Sequence, residues 1–207
     1  MSRYLAVCGV LAPILVITFV LVGASATPGY SHISDTISKL ASPGTPHPEW
    51  MNAGFISYGI LMIGLSFAVR QCLAPRTGSV IVWLMIAIHG LGIIFAAVFP
   101  YDLSIIDGIH SLEGILHHLV AIISCAAFMI GMLVMDRIVS AEPTWRTVTI
   151  LSFVAVFTVS ALFMLSLFPV ARGFEGALQR VSAFAMIIYI EALSIRCLTL
   201  SPNFYRQ

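Results

Sequence analysis

Six apolar stretches decide what this chain can become. They run Tyr4–Gly23, Met51–Val69, Val80–Phe99, Leu112–Met135, Thr147–Phe168 and Ala177–Ser194. Each is close to the roughly 20 residues that a helix needs to cross about 30 Å of hydrocarbon. None alternates apolar and polar residues as the strands of a membrane barrel do. Of the 207 residues, 59% are apolar and 9% charged, against roughly 45–50% and about 25% in a soluble domain. Too few charges remain to coat a soluble surface. The expectation is an all-α bundle of six transmembrane helices, one domain over residues 1–207, with a long loop at 24–50.

Basic residues orient the bundle, because cytoplasmic loops retain them. One side receives Arg3, Arg70, Arg76, Arg137, Arg146, Arg196 and Arg206, and the other Lys39, Arg172 and Arg180. Both termini are therefore expected in the cytoplasm of a multi-pass cell-membrane protein, with loop 24–50 outside. A net charge of +1 offers no basic surface for nucleic acid. Arg3, the first apolar run and Ala24-Ser25-Ala26 also have the layout of a cleaved signal peptide. That run is longer than the roughly 7–15 residues of a signal's central region, which favours a retained helix. Cys8, Cys72 and Cys197 lie toward the cytoplasmic side and Cys125 lies mid-span. No Cys-x-x-Cys or Cys/His zinc spacing exists.

Polar chemistry is concentrated at the outer side, where five of six histidines fall. In His110-x-x-Glu113-x-x-x-His117 the offsets place three side chains on one helical stripe. Such a stripe can hold a divalent metal such as zinc, or offer an acid and a base to a substrate; equally, His110 and Glu113 can cap the helix in the headgroup layer. Asp102 follows Phe99-Pro100-Tyr101 at the rim, where the proline ends the third span. The candidate catalytic set is thus Asp102, His110, Glu113 and His117, and the candidate metal ligands are Asp102, His110 and His117.

In the loop, Ile33, Ile37 and Leu40 recur at helical spacing, predicting a short interfacial helix with His32, Asp35, Ser38 and Lys39 on its other side. His32, Ser34 and Asp35, with Gln179 and Arg180 at the start of the last span, form a candidate ligand-binding set. Arg180 can snorkel to the headgroups or hold a phosphate or carboxylate in its fork. Deeper, His89 and Glu191 suit interhelical hydrogen bonds or a proton path. Gly54, Gly59, Gly64, Gly90 and Gly92 suit close helix packing.

Several of these elements together resemble domain-of-unknown-function family 998. They are Ser34-Asp35 with the Pro-rich stretch after it, Phe99-Pro100-Tyr101-Asp102, His110 and His117, and Gly176-Ala177-Leu178-Gln179-Arg180. The resemblance covers nearly the whole chain and implies a six-span prokaryotic membrane protein whose signature is its outer-face polar residues; it implies no activity. In residue types alone, the Ser, Asp and paired His are similar to those of alkaline ceramidase and adiponectin-receptor-type zinc hydrolases, which have seven spans and a different motif order.

Three functions follow as expectations. The first is an outer-face polar pocket that binds or processes a lipid or amphiphile, metal-assisted or not. The second is a non-enzymatic binder or transporter of a lipid headgroup or ion. The third is a b-type haem protein, with His89 and His117 or His118 as the axial pair.

Overall fold

A computed structural model describes residues 2–74, 76–102 and 111–200. The fold is all-α, with no strand among the described residues. Its helices are α1 (Val7–Ser25), α2 (Pro48–Leu73), α3 (Ser79–Val98), α4 (Leu112–Val139), α5 (Arg146–Ser166) and α6 (Glu175–Thr199). All six are long and apolar enough to cross a membrane, and the chain is a multi-pass membrane protein. Several helices overrun their apolar stretches. Pro48 occupies the first turn of α2 with Glu49 beside it, where a fixed φ and a carboxylate both suit a helix start. Ser111 caps α4 by accepting from Gly114 N at 3.0 Å. Arg70, Arg137 and Arg196 stand in the last turns of α2, α4 and α6, complementing the negative helix ends.

The helices pack in the order α5, α6, α1, α2, α3, α4; α4 and α5, although consecutive in sequence, touch far less than the other neighbours. Among the helix glycines, the closest backbone-to-backbone crossing joins α2 to α3. A Cβ on Gly59 would lie 2.4 Å from Gly90 O, and one on Gly90 would lie 2.6 Å from Gly59 O. Backbone meets backbone there, as small residues permit between membrane helices.

The main core fills the half of the bundle that holds the chain ends. Met62, Leu65, Val69, Phe128, Met132, Met135, Trp145, Tyr189 and Leu193 are all buried in it. On the same face the Arg76 and Glu142 side chains pair at 2.5 Å, joining two connectors. The opposite half is different. There the long loop (residues 26–47) folds back onto the helices, and a small cluster of Leu40, Ala41, Met51 and Phe55 lies beneath it. The interfacial helix expected over Ile33 to Leu40 is instead a single 3-10 turn, Ile37–Ala41, capped by Thr36. Leu40 is 2% exposed while Ile33 is 57% exposed, so the turn points inward rather than lying flat on lipid.

Candidate functional site

The long loop is fastened to α6 through its backbone. Ala177 N donates to Ile33 O at 2.8 Å, and Ile37 N donates to Gln179 Oε1 at 2.6 Å. Arg180 donates from Nη1 to Asp35 O at 2.8 Å and to Gly176 O at 2.9 Å. Its Nη2 donates to the Tyr30 hydroxyl, which in turn donates to Thr36 O at 2.9 Å. Gly176 makes this approach possible, since a Cβ there would sit 2.3 Å from Asp35 O.

Asp35 closes the loop on itself. Its carboxylate accepts from Ser31 N at 2.9 Å and pairs with Lys39 Nζ at 2.5 Å. Burial alone would lift this carboxyl, but the Lys39 ammonium, the Ser31 N–H and the nearby Arg180 guanidinium outweigh it and hold Asp35 below its usual range. Burial raises the Tyr30 phenol despite the adjacent Arg180, so it stays a neutral donor. Of the remaining loop candidates, His32 and Ser34 are exposed, and His32 sets its ring edge-on to Tyr30 with centroids 5.4 Å apart.

A pH dependence follows. A carboxyl with a depressed folded-state pKa contributes stability above its ordinary value and loses it as pH falls through the depressed one. Loop docking should therefore be constant near neutrality and weaken only in acid, from about pH 4 downward. Protection of the Ile37 and Ala177 amides from hydrogen exchange, measured against the intrinsic rate at each pH, should fall there, and Asp35→Asn should abolish that pH dependence while lowering protection at every pH.

The loop is fastened a second time, to α3 and α4, by His117. This residue is 3% exposed. Its Nδ1 lies 2.8 Å from Phe99 O and 3.0 Å from Ala96 O, and its Nε2 lies 3.0 Å from Ser38 Oγ. Two carbonyls at Nδ1 require the proton there, so Nε2 accepts from the Ser38 hydroxyl. Asp102 caps the start of α4 by accepting from Ser111 N at 2.8 Å, and Gly114 leaves space for it, since a Cβ there would meet Asp102 Cβ at 2.5 Å. Glu113 is exposed. The buried stripe of α4 is therefore Gly114, His117, Ser124 and Phe128, one residue round from the stripe expected through Glu113. His118 is exposed and donates from Nδ1 to Gly114 O at 2.8 Å. His110 lies outside the described residues.

Beneath the loop is a cavity of about 790 Å³, bounded by all six helices. Its walls are apolar: Val16, Val20, Phe55, Ile93, Met129 and Phe163 among them. Polar groups line it at the rim and the floor, with the hydroxyls of Ser160 and Ser182 on the walls between. At the rim are His32, Gln179 and Arg180. At the floor are Tyr58, His89 and Ser124, none of whose polar atoms lacks a partner: His89 Nε2 lies 3.0 Å from the Tyr58 hydroxyl and Nδ1 lies 2.9 Å from Ser124 Oγ. Sequence reasoning found His89 and placed Ser38 on the polar side of the loop segment, but missed Tyr58 and Ser124. The signal for Ser124 was its offset of seven from His117, two turns along the same face.

Residues 10–196 match the family model described as "Protein of unknown function (DUF998)". The chain belongs to the DUF998 family. No curated protein and no solved structure matches it. All cavity-lining residues of this DUF998 protein, from Val16 to Ile187, fall within the matched stretch.

Among the described residues of this DUF998 protein, no three His, Cys, Asp or Glu side chains gather as a metal site. Asp102 and His117 would need His110, and His117 would have to release Ser38 to become a ligand. The paired imidazoles of the haem expectation do not share a space: His89 lines the cavity, whereas His117 turns both ring nitrogens to Ala96, Phe99 and Ser38. His89 itself is held between Tyr58 and Ser124.

Proposed function

We propose that this DUF998 protein binds a lipid or other amphiphile, with the hydrocarbon part in the cavity and the polar part at the rim, on the extracytoplasmic side of the cell membrane. One observation carries this reading: a volume of about 790 Å³ walled by apolar side chains, within the roughly 300–1,000 Å³ of small-ligand sites, with His32, Gln179 and Arg180 at one end. By sequence position, seven of the ten basic residues belong to the side of the termini, which supports placing the loop outside. Gln179 and Ile187, both in the wall, are eight residues apart on α6, about 12 Å of helix. That depth is close to the hydrocarbon half-thickness of one leaflet, roughly 15 Å.

The test is the mass of the intact protein released gently from its membrane. A bound amphiphile of one chemical class should accompany the wild type. Ala183→Trp, which fills the cavity from α6, should lower its occupancy at least about fivefold with the helix content unchanged. Equal occupancy in both proteins would exclude the cavity as the site.

A second reading, that the protein processes the amphiphile, is favoured by Ser38 and His117. A serine hydroxyl 3.0 Å from an Nε2 whose ring is oriented through Nδ1 has the geometry of a nucleophile beside its general base. Against it, Ser38 is 9% exposed and His117 3% exposed, and neither lines the cavity. The two readings separate on the ligand's fate: a binder or transporter returns it unaltered, whereas an enzyme returns a product whose yield falls in Ser38→Ala. Elemental analysis of the purified protein checks the metal-assisted form of the second reading.

A further inference from the structure

The rim and floor of the cavity differ in one respect that selects among amphiphiles. At the floor, Tyr58, His89 and Ser124 satisfy one another. A ligand reaching them gains nothing from a polar group and would have to break these bonds to use one. Apart from the Ser160 and Ser182 hydroxyls the walls above the floor are largely apolar, so charged groups meet the ligand only at the rim.

At the rim, Arg180 retains both charge and donors. A guanidinium has five N–H groups. Nη1 uses its two on Asp35 O and Gly176 O, and Nη2 uses one on the Tyr30 hydroxyl. Nε–H and the second Nη2–H remain, and Arg180 borders the cavity. All three acceptors are neutral. The one carboxylate of the cluster, on Asp35, is engaged by Lys39 and Ser31. Glu175 in the first turn of α6 turns to Gly173 N at 2.9 Å. Lys39, Arg180 and Asp35 thus leave one positive charge unmatched at the top of an apolar volume, where a low dielectric strengthens its attraction for an anion. A planar guanidinium with two free N–H groups suits an anionic head offering two oxygens.

The route in is lateral. Ile122 on α4 and Phe163 and Met164 on α5 line the cavity, yet they are 52%, 47% and 53% exposed. They stand on the two consecutive helices that pack least against each other. On the loop side, His32 and Ile37 line the cavity.

Resting on the proposed cavity reading, we infer that the ligand is an outer-leaflet amphiphile with an anionic carboxylate or phosphate head, which enters between α4 and α5 and is held at its head by Arg180. The probes are four amphiphiles with the same oleoyl chain: oleate, lysophosphatidylglycerol, lysophosphatidylcholine and monooleoylglycerol. Each is added to delipidated protein and its binding measured. Lysophosphatidylglycerol, oleate or both should bind about tenfold more tightly than the zwitterionic and neutral probes, and which of the two prevails identifies phosphate or carboxylate. The preference should shrink in high salt. Arg180→Gln should lose it while still binding monooleoylglycerol.

Arg180 also fastens the loop, so the headgroup comparison on the wild type decides the matter even if that variant does not fold. If the neutral probe binds as tightly as the anionic ones, the inference fails and the cavity reading stands. If no probe binds, both fail. To test the route, paired cysteines at Ile122 and Phe163, bridged by a crosslinker, should slow uptake of the anionic probe at least tenfold; unchanged uptake would overturn lateral access.

Discussion

Gly59→Ala and Gly90→Ala are each expected to destabilise the folded protein by about 3 kcal/mol, at the upper end of what overpacking costs. The new methyl would meet a backbone carbonyl, Gly90 O at 2.4 Å or Gly59 O at 2.6 Å. A side chain can rotate out of the way; a carbonyl held in a helix cannot. The only relief is separation of α2 from α3, which unpacks Val82 and Ile86 from the core beneath and disturbs the bond between Tyr58 and His89 across the same crossing. Because both substitutions wedge one contact, the double variant should cost clearly less than their sum. Gly23→Ala is the control: the nearest atom to its new methyl is Leu40 Cδ1 at 3.6 Å, an ordinary contact, and alanine is the better helix former. Denaturation in detergent followed by circular dichroism measures all four. A Gly59→Ala protein as stable as Gly23→Ala would mean that the two backbones do not meet.

The second large effect is expected at His117. His117→Ala removes the donor to Ala96 O and Phe99 O and the acceptor of the Ser38 hydroxyl, and it empties a site that is 3% exposed. Stranding buried polar groups costs about 1–3 kcal/mol each, so a total of about 3 kcal/mol is expected. The loss should be local. Hydrogen exchange should accelerate over Ser38–Ala41, while amides of the far core around Met132 and Leu193 keep their protection. His117→Gln cannot serve both neighbours at the imidazole's spacing and should recover less than half. Uniform acceleration throughout the chain would show that His117 supports the bundle as a whole and is not specifically a fastening for the loop.

These two sites also show what was readable in the residues alone. Hydropathy made six spans plain, because crossing a bilayer demands a run of apolar letters and little else. Gly59 and Gly90 could be marked as packing positions, but not as partners, since no periodicity says which helix a glycine meets. The fastening of the loop was hidden for a different reason. Its acceptors include the main-chain carbonyls of Ile33, Asp35, Ala96 and Phe99, and a carbonyl is the same at every residue. Offsets of three, four and seven put Glu113 with His117, yet Gly114 faces inward and Glu113 outward, because Asp102 needs the space that only glycine leaves. The cavity is harder still to read, being made by what is missing. Ala121, Ser124, Cys125, Ala126, Ser182 and Ala183 are small side chains on α4 and α6 that line it, and no pattern in the sequence says which small residues of different helices face one another.

The most direct measurement is an experimental density map of the protein in a lipid bilayer. The expected result is open space between the outer halves of α4, α5 and α6, holding an elongated density that starts at Arg180 and ends near Ile187. A map in which Phe163 and Phe184 close onto Ala121 and Ala183, leaving no room beside His89, would contradict the cavity and every function derived from it.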